Sequence, residues 1–405
     1  MYVVRSCVMC PDVIVIGAGP AGLSAAQVLS ENGVNFRLFS RERIPGIDKS
    51  CGGFVPARMM SEFGMQPFEG CYAINSVRMK FPGMDPVRVD FESPAGYDVA
   101  RERLGEVLLD RVEGWKESIS LETKVSNIII DGSGCHVTVE TPNGRDAEDA
   151  KLLIDCSGAN PVSIRHGYVR SRIPNSQMGY GRQYIVERGP ETEQYDNVID
   201  FFYGHEYSPG GYAWLYPRSD IAVIGTGGLV CRVRDDPTPL DEYLHRFMDH
   251  VVIGEQLGGS RVIRKDAALM PLAGIVTPSY SDRVMLAGDA AGHCSPLSGE
   301  GIYYSMVGGA CAGEVAAHAV KEGDFSEKSL ARYEKMWRSR IGSDLRWGAW
   351  LQDRLLNGGS SSLGSSLLRS EKYQRIIAEM LVGERSVRSA IVGCAPGYLR
   401  AKLGL

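Results

Sequence analysis

The chain lacks any run of about 18 apolar residues, so no segment is built to cross a bilayer as a helix. It opens without a secretory leader pattern, and a cytoplasmic location is the expectation that follows. Ten cysteines are scattered through 405 residues, and in that compartment they read as reduced thiols. Cys7-Val8-Met9-Cys10 has no second Cys-x-x-Cys at ligand spacing. A zinc or iron–sulfur site is therefore not expected, and the tetrapeptide reads as an extension ahead of the first strand. Asp-rich clusters are missing too, which gives no support to a magnesium-clamped diphosphate. With a formal charge of −5 there is no cationic excess to suggest nucleic acid as a partner. The charge is uneven, however: from Ala331 onward basic residues outnumber acidic ones by about seven.

What is present begins with Val13-Ile14-Val15-Ile16, a β-branched run followed at once by Gly17-Ala18-Gly19-Pro20-Ala21-Gly22. Residues 23–29 have helical composition and residues 34–39 read as a second strand. That is the strand–turn–helix–strand setting in which a G-x-G-x-x-G pattern binds a dinucleotide. Gly17 permits the tight turn, Gly19 lets a pyrophosphate approach the backbone, and Gly22 lets the helix pack closely on the strand. Unpaired N–H groups at the helix start, among them that of Ala21, then face the phosphates. An acid for the adenosine ribose usually stands about 20 residues past the glycines. Here that place holds Ser40-Arg41-Glu42, so Ser40 and Arg41 are the expected contacts, with Glu42 as a further candidate.

A second glycine-rich stretch lies far downstream. Val284-Met285-Leu286 reads as a buried strand, Gly288-Asp289 as a turn, and Pro296 to Gly301 as a loop leading into a helix at Ile302. A nucleotide-binding domain that ended with its first βαβ unit has no use for such a segment; a flavin site assembled from two distant pieces of chain does. Between them, residues 76–90 alternate as strands around Pro82-Gly83, residues 101–112 have helical spacing, and residues 120–140 form a hairpin around Asp131-Gly132-Ser133-Gly134. Residues 151–155 are another buried strand, closed by Cys156-Ser157-Gly158. Strand-like segments dominate 161–271, interrupted by an amphipathic helix near 240–251. The C-terminal part is helical, broken by Asn357-Gly358-Gly359-Ser360-Ser361-Ser362, and there are no internal repeats.

Strands of the nucleotide-binding kind interleaved with β-rich insertions resemble the flavoprotein hydroxylase superfamily, over roughly residues 11–320. The resemblance implies an α/β fold in which a Rossmann-like FAD-binding domain is interleaved with an antiparallel β-rich substrate domain, followed by a C-terminal helical region. The corresponding boundaries are 11–75, 98–160 and 272–325 for the FAD-binding domain, 76–97 and 161–271 for the substrate domain, and 326–405 for the helices. FAD contacts implied by the resemblance are Gly17 to Gly22, Arg101, Val125, Gly158, Gly288, Asp289, Pro296, Gly299, Gly301 and Ile302, with Cys51 and Gly52 beside the flavin. Asp289 would hold the ribityl or pyrophosphate side, although a plain helix cap would look the same in sequence. The helix start near Ile302 would face the pyrimidine edge, where a reduced flavin carries negative charge.

Pro209-Gly210-Gly211-Tyr212-Ala213-Trp214-Leu215-Tyr216-Pro217 fits P-x-x-Y-x-W-x-F-P with Tyr in place of Phe. This motif, Cys51-Gly52-Gly53 and Ser298-Gly299-Glu300-Gly301-Ile302-Tyr303 resemble the geranylgeranyl reductase family. What that resemblance implies is saturation of isolated C=C bonds of geranylgeranyl chains, on membrane lipid precursors, by flavin N5 hydride transfer plus protonation. On an alternating strand Tyr212, Trp214 and Tyr216 share one face, suited to the wall of a pocket for a long apolar chain. Tyr212, Trp214 and Cys51 are the expected catalytic groups; Gly53 and His293 join the aromatics as expected pocket residues. Plainer readings stand beside these: aromatics as sheet packing, Cys51 as a small residue tolerated beside glycines, and His293 as a structural histidine.

Ser157-Gly158 stands where the hydroxylases carry Asp-Gly, a pair associated with nicotinamide-driven reduction. The electron donor is therefore open among reduced ferredoxin, coenzyme F420 and NAD(P)H. Two alternatives remain: a flavin-dependent monooxygenase or reductase of aromatics or prenyl-quinones, and a non-catalytic flavin-bearing lipid carrier. The basic C-terminal part, with Trp337, Ile341 and Leu345 at helical spacing and Trp347, Trp350 and Leu351 nearby, fits either a membrane surface or a helical lid.

Overall fold

Val13–Ile16 is buried at all four positions, which requires cover on both faces of its sheet. In the computed structural model, which describes residues 10–47, 49–188, 197–257, 259–357 and 368–403, it lies at the centre of a six-stranded sheet. Phe36–Phe39 and Leu152–Asp155 flank it in parallel, with Val13 opposite both Phe36 and Leu152. Val284–Leu286 is parallel to Leu152–Asp155, and Ile119–Ser120 to Phe36–Phe39. Tyr280–Ser281 adds the one antiparallel edge. The three strands read as nucleotide-type, 130 or more residues apart in places, are thus neighbours.

Alternate residues of Val13–Ile16 serve different cores. Val13 and Val15 pack with Leu38, Ile154 and Met285 against the helices Pro20–Glu31 and Ile302–Glu322. Ile14 and Ile16 pack with Val125, Ile128 and Val137 of a three-stranded antiparallel sheet on the other face. Its strands are Lys124–Ile130, Cys135–Thr141 and Gly144–Ala150. The last of these, Gly-Arg-Asp-Ala-Glu-Asp-Ala, is an addition to the expected hairpin. It is a mostly exposed edge strand without apolar alternation, so it has no periodic signature.

The helices Pro20–Glu31 and Ile302–Glu322 meet backbone to backbone. A Cβ on Gly309 would lie 2.0 Å from the Ala21 carbonyl oxygen, and one on Gly313 2.8 Å from that of Ala25. This approach brings the two glycine-rich segments to the same end of the sheet.

A second, seven-stranded sheet runs in the order Val262–Pro271, Met178–Glu187, Ile221–Leu229, Gly211–Pro217, Val198–Tyr203, Ser76–Lys80, Val87–Asp90. All neighbours are antiparallel except Val198–Tyr203 and Ser76–Lys80, which are parallel. One face is covered by Leu240–Met248 and Val251–Leu257 through Leu244, Phe247 and Ile253, two short helices where a single one over 240–251 was expected. The opposite face carries Tyr212, Trp214 and Tyr216.

The helix Glu327–Asn357 turns Trp337, Ile341 and Leu345 into the main core. Trp337 Nε1 donates to Ser279 Oγ at 3.0 Å and Tyr333 OH to the Leu286 carbonyl at 2.5 Å. That stripe is therefore internal packing and is not available to a membrane. Glu371–Leu381 and Val387–Leu403 complete the C-terminal part. Cys7 and residues 358–362 lie outside the described residues. No described helix is long and apolar enough to cross a membrane.

Because Gly309 has no room for a side chain, Gly309→Val forces the two helices apart. The expected cost is about 1–3 kcal/mol of stability, with a lower melting temperature and loss of flavin retention together, read by thermal denaturation and by flavin fluorescence after gel filtration.

Candidate active site

A cavity of about 630 Å³ opens where the two glycine-rich segments meet the aromatic face of the seven-stranded sheet. From the first segment it is lined by Gly17 to Ala21, and from the end of the second strand by Ser40 and Arg41. Arg101, Val125 and Gly158 close one side; Gly288, Asp289, Pro296, Gly299, Gly301 and Ile302 close another. Cys51, Gly52 and Gly53 stand at the seam with Tyr212, Trp214 and Tyr216.

Two expected residues lie elsewhere. Gly22 is behind the cavity wall, where a Cβ would fall 1.8 Å from the Gly17 carbonyl oxygen, so its place is in helix packing. His293 does not line the cavity. It is fully buried, with its ring 4.7 Å from that of Trp337 and Nδ1 2.0 Å from where a Cβ on Gly308 would be. Burial pushes its imidazole down to about 3, so it is neutral and no reservoir of protons.

The glycine turn is held by the chain around it. Gly17, at φ +96°, donates to the Phe39 carbonyl at 2.8 Å and faces the Cys156 carbonyl. Asp155 fixes the opposite turn, accepting from Ser157 N, Ser157 Oγ, Ser163 N and Ser163 Oγ at 2.5–3.0 Å. Its carboxylate is thereby committed to shaping the Ser157-Gly158 turn. Glu42 accepts from Gly46 N at 2.7 Å, which fixes the loop leading to Lys49.

Lys49 is a charged residue of the cavity wall that no local pattern announced. Its ammonium meets Asp289 Oδ2 at 3.0 Å across 240 positions of sequence. Asp289 holds the Lys49 pKa above its ordinary value, so the pair is a fixed charge arrangement at the cavity wall.

On the sheet side, glycines clear space for rings. A Cβ on Gly225 would lie 2.3 Å from the Trp214 indole, and one on Gly52 2.6 Å from the Tyr216 ring. Phe201 and Tyr203 from the adjacent strand also line the cavity, with Tyr203 5.4 Å and Phe201 5.7 Å from Tyr212, and Phe201 edge-on to Tyr216 at 6.0 Å. They were readable as a strand, and the period-two pattern of Phe201 and Tyr203 was the signal for their facing direction. Tyr212 OH donates to the Ser298 carbonyl, tying this sheet to the Pro296–Gly301 loop, the expected flavin loop. Arg218 braces the Cys51–Gly53 turn, donating to the Gly52 carbonyl at 2.9 Å and the Val99 carbonyl at 3.2 Å while its Nε sits 3.3 Å from Asp98 Oδ2. Asp98 is fully buried, and burial pushes its carboxyl up to about 6 even beside that cation.

The cavity has the features that an adenine dinucleotide flavin requires. A Cβ on Gly19 or Gly158 would meet nothing within 4 Å, so both backbones are open to a ligand. The helix Pro20–Glu31 has no side-chain cap and no acid in its first turn, which leaves its N–H groups for an anion. Arg101 Nε is buried with no hydrogen-bond partner.

The FAD binding domain family matches residues 11–344. The chain belongs to that family. FAD is its cofactor. It is similar to the digeranylgeranylglycerophospholipid reductase of Methanocaldococcus jannaschii, 28% identical over 366 residues that cover 88% of this chain and 91% of the relative. It is also similar to digeranylgeranylglycerophospholipid reductase 2 of Methanopyrus kandleri, 27% identical over 401 residues and 96% and 98% of the two chains. Among solved structures, a geranylgeranyl bacteriochlorophyll reductase-like protein of Thermoplasma acidophilum superposes with a TM-score of 0.84 at 20% identity, covering 98% of each chain. That agreement establishes the interleaved fold. All three carry in their names the activity of the family that the Pro209–Pro217, Cys51–Gly53 and Ser298–Tyr303 motifs resemble.

Arg101 is the buried cation facing the cavity with an unused donor. Removing it in Arg101→Ala is expected to weaken FAD binding by about 1.5–3 kcal/mol, the usual worth of a hydrogen bond to a charged group, measured by titrating apoprotein with FAD.

Proposed function

We propose that this protein is an FAD-dependent oxidoreductase that saturates isolated C=C bonds of geranylgeranyl chains carried by glycerophospholipids. The observation that carries the reading is the continuity of one cavity, from the glycine turns to a sheet face of five aromatic rings, with a thiol at the seam. The names of its relatives support the same chemistry.

An isolated trisubstituted alkene has no carbonyl to accept electrons. Its reduction therefore couples hydride addition at one carbon to protonation at the other, and the skeleton acquires tertiary-cation character on the way. Reduced FAD supplies the hydride when bound. The protein supplies the rest. Faces of Tyr212, Trp214 and Tyr216 attract the developing cation by about 1–2 kcal/mol per desolvated ring, and the apolar walls exclude water that would otherwise trap it. Gly179, Gly181 and Gly227 leave the sheet face low enough for a chain to lie along it. Cys51, half-buried and braced through Gly52 by Arg218, is placed to pass a proton or to shape the face on which the alkene rests.

Leu269 and Leu355 line the same cavity while 48% and 67% exposed, so the mouth is apolar. That suits a lipid tail entering from a membrane surface while the head group stays outside. The electron donor, whether ferredoxin, coenzyme F420 or a nicotinamide, is the one that reduces the bound flavin without oxygen.

Anaerobic incubation of chemically reduced, FAD-loaded protein with digeranylgeranylglycerophospholipid is expected to raise the lipid mass by one pair of hydrogens per step, read by mass spectrometry. An unchanged lipid, with flavin reoxidised only by oxygen, would sink the reading. Cys51→Ala is expected to keep its FAD and to lose about 100-fold in kcat, the lower range for removing a proton-transfer group, in the same assay.

A further inference from the structure

A second cavity, of about 20 Å³, lies behind the flavin loop. It has room for a single water. Arg58, Tyr304, Asp344 and Arg385 contribute polar groups to it. Glu300 borders this small cavity and the main one as well. Among the described residues it is the one titratable side chain that does so.

We propose that Glu300 is the inlet through which solvent protons reach the reaction chamber: its carboxyl gives a proton to the chamber side and regains one from a water held among Arg58, Tyr304 and Asp344. The inference rests on the reductase reading above and identifies the proton source that reading requires. For each double bond, the π pair becomes the new C–H bond to the delivered proton and the other carbon receives the hydride from reduced FAD. Glu300 is left as a carboxylate and is restored by one proton from solvent, so charge and hydrogen balance.

The geometry suits a relay. Glu300 Oε1 accepts from Tyr303 N at 2.7 Å, which anchors the carboxyl at the start of the helix Ile302–Glu322. On the chamber side, Tyr216 and Cys51 line the same cavity as Glu300. Cys294 and Arg101 face Glu300 from the flavin side, and Arg58, Tyr304 and Asp344 from behind. Arg385 is committed to Glu379 at 2.6 Å. Burial pushes the Glu300 carboxyl up to about 7, against the opposing pull of the Tyr303 N–H and Arg58. Burial likewise raises Asp344. At neutral pH Glu300 is thus shared between acid and carboxylate, as a group that both gives and regains a proton must be.

Two measurements test this. In infrared difference spectra of the FAD-loaded protein, titrated from about pH 5 to about pH 9 around the expected midpoint, wild type is expected to lose a carboxyl band near pH 7 that Glu300→Gln lacks. In the lipid assay, wild-type kcat is expected to fall as pH rises through about 7, because the donor form disappears. Glu300→Gln, which keeps an acceptor for Tyr303 N, is expected to retain FAD content and KM and to lose about 100-fold in kcat. Glu300→Asp is expected to recover part of that loss. Absence of the titrating band, or a Glu300→Gln variant with wild-type kcat and pH profile, overturns the inlet while leaving lipid reduction by wild type intact. A wild-type protein that reduces no lipid overturns both readings.

Discussion

Gly309 and Gly313 let the helix Ile302–Glu322 rest on the helix Pro20–Glu31 with no side chain between the backbones. About 270 residues separate these helices in sequence, yet their N-terminal ends open on one cavity. Both ends carry positive dipole; the first also presents unpaired N–H groups, while at the second Tyr303 N is already held by Glu300. A methyl group at Gly309 would meet the Ala21 backbone and push the two helices apart. The parallel sheet fixes the direction of the strands, but this contact fixes where the two helix ends stand relative to each other.

The other wall depends on the same economy of side chains. Gly225 on the neighbouring strand and Gly181 on the strand beyond it remove the bulk that would otherwise meet Trp214. The result is a broad apolar floor in place of a filled core. Its far face is packed by Leu244, Phe247 and Ile253, which lets one sheet be structural on one side and functional on the other.

Much of the fold could be read in the sequence because burial leaves periodic marks. Val13–Ile16 and Val284–Leu286 are continuous apolar runs because both faces are covered, and Tyr212, Trp214 and Tyr216 alternate because one face is open. The glycines of the two turns are marked by spacing. What could not be read was decided by meetings between distant residues. The partner of Asp289 is Lys49, in a loop that shows only polarity. The brace on Cys51-Gly52 comes from Arg218 just beyond the aromatic strand. His293 sits four residues after Asp289, yet is turned away into a pocket made by Gly308 and Trp337. Glu300 was visible only as part of a motif, since its place between two cavities depends on helices from opposite ends of the chain.

The bond from the Tyr212 hydroxyl to the Ser298 carbonyl makes the aromatic floor and the flavin loop a single mechanical unit. The five rings are therefore not equally free to vary. Phe201 and Tyr203, which make neither that bond nor a contact with the Cys51–Gly53 turn, are the rings to resize for a longer, shorter or more branched tail. A change at Tyr212 strips a partner from a loop carbonyl and is felt at the flavin. Redesign of chain-length preference thus has two adjustable positions and one hinge pin.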